Sequence, residues 1–504
     1  MVALAFTVAF DGIRARLVEV QCAISPGLPN FSVVGLPDKA VSEAKERVRA
    51  ALAAMAIALP SKRITVNLSP ADLPKEGSHF DLPIAISVLA ALEIIPREAV
   101  ALVVALGELS LDGRLIPVIG ALPSAMEAAE NGFSLMCPKD CGAEAAWVGA
   151  TPVFAASSLL EVVRHFTGQQ PMALAQAGEV TAETSLRDLR DVKGQERAKR
   201  ALEIAASGRH HMLMVGSPGS GKSMLAARLP GILPALSATE ALETSMIHSL
   251  AGLLSEGGIS RSRPFREPHH TASMAAIVGG GKGAKPGEVS LAHNGVLFMD
   301  EFPEFPRAVL ETLRQPIETG EIVVARANAH VKYPCRFLLV AAANPCKCGY
   351  MTDPSRACAR VPICGDDYLG RISGPLMDRF DLRVEVPPVA YSDLDLPASG
   401  ETSRVIATRV RAARDIQERR FAGHPDMRVN ADAEGAVLDE IAAPDSESRE
   451  LLARVAERFG LTARGYHRVL RVARTIADLD GSPDVRRPHI AEAVSYRLAV
   501  TTKA

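Results

Sequence analysis

The sequence predicts an α/β fold: a parallel sheet built around a phosphate-binding loop, preceded by a mixed α/β or α+β domain and followed by an almost entirely helical block. Three observations predict it. His211-Met-Leu-Met-Val215 is a short apolar strand that runs into Gly216-Ser-Pro-Gly-Ser-Gly-Lys-Ser223 and then into a helix start at 223–228, the strand–loop–helix order of a G-x-x-x-x-G-K-[ST] motif. Strand-like and helix-like runs then alternate from 191 to about 390, as in a parallel sheet covered on both faces. Beyond the polar break 392–400 the pattern is almost entirely helical, including 453–459, 466–479 and 490–498.

The elements divide the 504 residues into blocks. Residues 1–166 mix β-branched runs (64–68, 101–105) with Ala-rich helical stretches (41–56, 84–92, 124–131). The apolar start runs into Asp11-Gly12 without a basic leader, so it reads as a strand and turn, not a signal peptide. The polar stretch 167–190 reads as a linker, 191–392 as the sheet domain and 393–504 as the lid. The longest apolar region, 82–106, is broken by Glu93, Pro96, Arg97 and Glu98, which excludes a membrane span. A net charge of −2 means that any nucleic-acid contact must come from local basic patches. Eight cysteines are too sparse for a disulfide scaffold, and a cytoplasmic location is expected.

The loop residues Gly216, Ser217, Pro218, Gly219, Ser220 and Gly221 can turn successive N–H groups toward phosphate oxygens, Lys222 can reach the β/γ-phosphates, and Ser223 can ligate Mg²⁺. Gly295-Val-Leu-Phe-Met-Asp300-Glu301 is an apolar strand ending in two acids: Asp300 is placed to hold Mg²⁺ and Glu301 to deprotonate an attacking water. The strand 336–343 ends at Asn344, which can contact the γ-phosphate or that water. Arg379 and Arg464 can neutralise transition-state charge; either one alone would read as a surface salt bridge.

In this order the set resembles AAA+ ATPases of the magnesium-chelatase-like branch, and within it the ComM/YifB family. The resemblance rests on Asp191-Val-Lys-Gly-Gln195, Arg263-Pro-Phe-Arg-Glu-Pro-His-His-Thr-Ala-Ser273, Pro286-Gly-Glu-Val-Ser-Leu-Ala-His-Asn-Gly295, Arg371-Ile-Ser-Gly-Pro-Leu-Met-Asp-Arg379 and Arg471-Val-Ala-Arg-Thr-Ile-Ala-Asp478, and covers essentially the whole chain. It implies ATP and Mg²⁺ as cofactors, a nucleotide contact at Val192, Asn344 as sensor 1, Arg379 as an arginine finger acting on a neighbour and Arg464 as sensor 2. A finger acting in trans implies a homo-oligomeric ring, most often a hexamer. The resemblance also implies a DNA motor for branch migration in recombination and natural transformation. The insert of this branch falls at about 274–290, and 322–333 reads as a second hairpin; Lys282, Lys285, Arg326 and Lys332 are the candidate DNA-phosphate contacts, or else solvated cations on turns. His269-His270 reads as a structural or switch element of its loop in preference to a metal site.

Residues 1–166 resemble the Lon-protease fold (ribosomal S5-like). Where such enzymes place a serine this chain has His79, and where they place a lysine it has Pro123. Proline cannot be a base, so the domain is expected to be non-proteolytic. Cys346, Cys348, Cys358 and Cys364 follow Asn344 closely and can enclose a structural Zn²⁺, the alternative being four unliganded thiols. The rival readings are a chelatase motor inserting Mg²⁺ into a tetrapyrrole and a protein-remodelling ATPase that does not act on DNA.

Overall fold

The computed structural model describes residues 2–180, 187–254, 258–281, 284–325, 330–351, 355–389 and 400–498. The apolar start forms β1 (Val2–Asp11), which turns at Gly12 into the antiparallel β2 (Arg14–Ser25). With β3 (Asn30–Val34), β4 (Arg63–Ser69) and β5 (Val103–Ala105), and past a small side ribbon of β6 (Glu108–Leu109) and β7 (Leu115–Ile116), β8 (Ser134–Pro138) and β9 (Val153–Ala156) complete a seven-stranded mixed sheet of order β3-β4-β2-β1-β5-β8-β9. The helix Lys39–Ala54 starts where the Asp38 carboxylate accepts the Val41 N–H (2.7 Å), and buries Val41, Ala44, Val48, Ala51 and Leu52, spacings that keep one face on the sheet.

The stretch expected as a linker is in part fastened to this sheet. Leu174 bridges Phe154 of β9, the Ala175 N–H donates to Val153 O (2.8 Å) and the Gly178 N–H to Ala143 O (3.2 Å). Leu189 then donates to Ser403 Oγ (2.8 Å), joining the lid to the entrance of the second sheet.

That second sheet holds β10 (Met212–Val215), β11 (Phe265–Arg266), β14 (Val296–Met299), β17 (Leu338–Ala343) and β18 (Leu382–Glu385) in the order β11-β14-β17-β10-β18, every pair parallel. Its central strands are buried along their whole length, the burial expected of a parallel sheet covered on both faces. Two ribbons project from it: β12 (Gly279–Gly280) with β13 (Lys285–Pro286), and β15 (Glu321–Ala325) with β16 (His330–Pro334). The C-terminal helices Ser403–Arg420, Gly435–Ile441, Ser446–Phe459, Ala463–Leu479 and Arg487–Leu498 share one apolar core with the sheet, from Met212 and Met214 to Val469, Leu470 and Ala473.

The first sheet meets the second at the β15–β16 ribbon. A Cβ on Gly12 would stand 2.6 Å from the Lys332 carbonyl oxygen, and Phe10 and Ile13 pack into the apolar cluster holding Ile322, Val324, Val331 and Tyr333.

Candidate active site

Parallel strand order places the site. β17 lies beside β10 with Val215 opposite Ala343, so Asn344 emerges next to the loop 216–223. β14 lies beside β17 with Met299 opposite Ala341, so Asp300 and Glu301 emerge one strand further on. All leave the carboxyl ends of their strands, where open α/β sheets bind ligands.

Within the loop, Gly219 and Gly221 take φ of +77° and +94° and leave open space where a Cβ would point. Lys222 is buried, and its Nζ donates to the carbonyls of Gly216 (2.8 Å) and Ser217 (2.9 Å) and to Asn344 Oδ1 (3.3 Å). Burial lowers its pKa, and the charges of Asp300 and Glu301 oppose the shift. Ser223 Oγ donates to Asp300 Oδ2 (2.6 Å), and Asp300 Oδ1 accepts the Glu301 N–H (2.8 Å). A hydroxyl and a carboxylate in contact, beside an ammonium and an opened turn of N–H groups, fit a hard cation and a polyphosphate.

Several supporting contacts have no sequence signature. Gln195 sits at φ +61° and its amide donates to Ser220 O (3.3 Å) and to Pro387 O, tying the loop to the end of β18. Gly349 (φ +84°) lies so close to the loop that a Cβ there would be 2.5 Å from Cγ and Cδ of Pro218. Glu301 holds φ +50°, and its Oε2 lies 3.1 Å from His270 Nδ1. Val192 is a core residue, packed with Leu189.

Arg379 and Arg464 meet at Glu318. Arg379 is 5% exposed; it pairs with Glu318 and donates to Pro375 O (2.5 Å), and burial lowers its pKa against the pull of that carboxylate. Arg464 is exposed on the first turn of the helix Ala463–Leu479, 4.0 Å from the same carboxylate. With Glu318, His211 and Arg468, Arg464 lines a cavity of about 600 Å³. This cavity lies at the amino ends of β10 and β18, where the Asp381 N–H donates to His211 O (2.9 Å).

Among the DNA candidates, Lys285 and Lys332 are exposed, while Lys282 and Arg326 lie outside the described residues. The two ribbons that carry Lys285 and Lys332 are joined: Tyr333 OH donates to Ala284 O (2.8 Å), and Gly279 packs on Val324. His79, which the resemblance sets where Lon-type enzymes carry a serine, is a committed imidazole. His79 is buried, its Nε2 lies 2.9 Å from Val8 O, its ring packs on Phe10 and Phe80, and burial pushes its pKa down to about 4. Pro123 is buried in a helix, and the buried Lys75 nearby in sequence spends its ammonium on Pro70 O.

The four clustered cysteines do come together. Cys346 Sγ lies 3.1 Å from Cys348 Sγ, and Cys358 is within hydrogen-bonding range of both Cys348 and Cys364. Among the described residues no group of three or more His, Cys, Asp or Glu side chains is arranged to hold a metal ion. Two thiolates on one tetrahedral Zn²⁺ sit ~3.8 Å apart, given Zn–S of ~2.3 Å, somewhat further than this pair. Hydrogen bonds from the Tyr350 N–H and from Cys346 pull the Cys348 pKa down to about 7, while burial pushes Cys364 up to about 12. Cys22, Cys137, Cys141 and Cys335 are buried.

The magnesium chelatase, subunit ChlI family matches residues 188–394, subunit ChlI of Mg-chelatase matches 18–140, and the ChlI C-terminal family matches 400–497. The chain is 44% identical to competence protein ComM of Haemophilus influenzae, covering 99% of this chain and 98% of that one. It is 42% identical to the uncharacterized protein YifB of Salmonella typhimurium, covering 98% and 97%. The magnesium-chelatase 38 kDa subunit of Rhodobacter capsulatus is 28% identical over 61% of this chain and 86% of its own. No helix among the described residues is long and apolar enough to cross a membrane. A phosphate loop at the carboxyl edge of a five-stranded parallel sheet, a helical C-terminal region sharing its core, and full-length identity to ComM and YifB place this chain in the ComM/YifB family of magnesium-chelatase-like AAA+ ATPases.

Proposed function

We propose that this chain is an ATP-hydrolysing motor that works as a cytoplasmic homo-oligomeric ring, hexameric by resemblance, and moves on DNA. Its task would be helicase or branch-migration work in recombination and natural transformation. The competence name of the relative from Haemophilus influenzae supports the last part. Lys222 and the loop 216–223 bind the triphosphate, with Val192 near the base. Ser223 and Asp300 hold Mg²⁺, which when bound offsets charge on the β- and γ-phosphates. Glu301 accepts a proton from the water that attacks the γ-phosphorus as the bond to ADP breaks, and Asn344 orients that water.

The observation that carries the ring is the distance between the arginines and their own loop. Arg379 and Arg464 cluster at Glu318, by the amino ends of β10 and β18, whereas residues 216–223 lie at the carboxyl end. The four residues of β10 alone span roughly 13 Å at ~3.3 Å per residue, so neither guanidinium is placed to serve its own triphosphate. That separation supports action on a neighbour's triphosphate, with Glu318 keeping the two guanidiniums together until then.

The joined ribbons support the DNA contact through Lys282, Lys285, Arg326 and Lys332, binding backbone phosphates. Residues 1–166 would be a non-proteolytic platform, 167–190 a connector, 191–392 the ATPase core and 393–504 the lid. The test is steady-state ATP hydrolysis with and without single-stranded and four-way-junction DNA, with Glu301→Gln as control. Stimulation by DNA that the control loses supports the motor. Hydrolysis indifferent to DNA points to a chelatase-like or protein-remodelling role. We also propose a structural Zn²⁺ on Cys346, Cys348, Cys358 and Cys364, supported by the mutual proximity of the four sulfurs. About one zinc per chain in metal analysis, falling in Cys364→Ser, is expected; protein purified in zinc-containing buffer without bound metal would refute it.

A further inference from the structure

The segment that carries Arg379 has its backbone held by three other arginines. The short helix Gly374–Met377 ends just before it, and the last carbonyls of a helix have no partner within the helix. Here four consecutive carbonyls are taken up by guanidinium groups. Arg383 donates to Met377 O (3.0 Å), Arg497 to Asp378 O (3.1 Å) and Phe380 O (2.6 Å), and Arg468 to Arg379 O (2.9 Å). Carboxylates on either side of Arg379 fix two of these cations: Asp378 pairs with Arg497, and Asp381 accepts from Arg468 at 2.6 Å. Arg497 is 5% and Asp381 4% exposed, so these are not the solvated surface pairs that contribute little.

Arg383 belongs to β18, which follows the segment, but Arg468 and Arg497 come from the last two helices, Ala463–Leu479 and Arg487–Leu498. Arg464 stands four residues before Arg468, so the two project from one face of the same helix. That helix is anchored in turn to the start of β10: Thr475 Oγ1 lies 2.7 Å from His210 Nε2, and Asp381 accepts the His211 N–H at 3.1 Å. The C-terminal helices therefore carry one of the two arginines read above as acting on a neighbour, and grip the backbone of the other. The side chain of Arg379 is less fully engaged, its buried Nε having no hydrogen-bond partner among the described residues. A fixed backbone with spare donor capacity at the tip suits a guanidinium that has to reach a phosphate outside its own subunit.

We propose that Arg468 and Arg497 are positioning residues for Arg379: they fasten the segment 377–381 to the C-terminal helices and so set the reach of the Arg379 guanidinium toward the triphosphate of a neighbouring subunit. The inference rests on the reading of Arg379 as a group that acts on a neighbour. Loss of either grip leaves the phosphate loop of the same subunit untouched, so the defect falls on the neighbour's catalysis and not on the subunit's own ATP binding.

The experiment uses the full chain, alone and in assemblies of mixed composition made by co-expressing two differently tagged copies and purifying through both tags. Arg468→Met removes the grip on Arg379 O; Arg497→Met, the second variant, removes the grip on Asp378 and Phe380. Thermal unfolding shows which variants are folded. A ~1 Å misplacement of a reacting group costs on the order of a hundredfold, so a folded variant alone is expected to lose 10- to 100-fold in kcat. Its Kd for a fluorescent ATP analogue is expected to stay within twofold of wild type. Co-assembly with Lys222→Ala, whose own loop is disabled but whose Arg379 is intact, is expected to raise hydrolysis at least threefold above the mean of the two proteins measured alone. Damage to the variant's own loop could not be repaired in this way, because neither copy would then offer a working one. Arg379→Ala co-assembled with Lys222→Ala is the reference. The proposal is overturned if folded Arg468→Met keeps kcat within twofold of wild type, or if the reference recovers activity and the folded positioning variants do not. If the reference itself gives no doubly tagged species or no recovery, the action of Arg379 on a neighbour fails and the inference falls with it, a result distinct from failure of the grip.

Discussion

Gly349 offers a perturbation whose size can be worked from the structure. Its missing side chain faces Pro218 in the middle of the phosphate loop, and a Cβ would lie 2.5 Å from both Cγ and Cδ of that ring. Carbon atoms in contact sit about 3.5 Å apart or more, so Gly349→Ala demands ~1 Å of movement. A proline ring has no side-chain torsion with which to swing aside. The displacement must therefore come from the backbone of the phosphate loop or of the cysteine-bearing loop. The left-handed φ of +84° adds ~1–2 kcal/mol of strain for alanine. A misplacement of ~1 Å at reacting groups costs on the order of a hundredfold in rate. We therefore expect kcat/KM for ATP to fall 10- to 100-fold, with a loss of only ~1–2 kcal/mol in stability. Steady-state hydrolysis, binding of a fluorescent ATP analogue and thermal unfolding measure the three quantities. Gly423→Ala, where a Cβ would meet nothing within 4 Å, is the control. A folded Gly349→Ala protein with wild-type kcat/KM would refute the reasoning, because the cysteine-bearing loop would then yield without moving the phosphate loop.

Three further outcomes are expected. Lys222→Ala, which removes the one ammonium held by Gly216, Ser217 and Asn344, should weaken ATP binding at least tenfold in the same fluorescence assay. His79, with its pKa pushed down to about 4 against an ordinary 6.5, makes the unfolded chain the better proton acceptor between those values. Its contribution of about 3 kcal/mol is therefore fully present above pH 6.5 and lost as pH falls toward 4. Urea unfolding at pH 7.5, 5.5 and 4.5 should show this slope, reduced in His79→Phe. Asp81 is wholly buried and accepts from Arg47 at 2.6 and 2.9 Å and from the Leu109 N–H at 3.0 Å, so Asp81→Ala should cost about 3 kcal/mol in urea unfolding.

The phosphate-loop side of the candidate site was legible because each of its groups ends or follows a local apolar strand: Val215 before the loop, Met299 before Asp300, Ala343 before Asn344. The pattern of strands alone sets their order, and parallel pairing brings their ends together. Contacts between groups remote in sequence left no such trace. Glu318 joins Arg379 and Arg464 from a helix that sequence reading gave no role, and Gln195 reaches Ser220 from a motif quoted only for its resemblance. His270 was noticed as one of a pair, but its partner is thirty-one residues downstream and the distance between them is a property of the fold. The polar composition of 167–190 suggested a free connector because backbone pairing to β9 requires no apolar residues.

The seam at Gly12 bears on how this protein can be taken apart. The turn after β1 rests on the backbone of Lys332, and Phe10 from the same strand touches both the His79 ring and the apolar underside of the ribbon. Cutting the chain near residue 180 would therefore not liberate a finished ATPase. It would peel a lining from Ile322, Val324 and Val331 and leave wet a surface built to be dry.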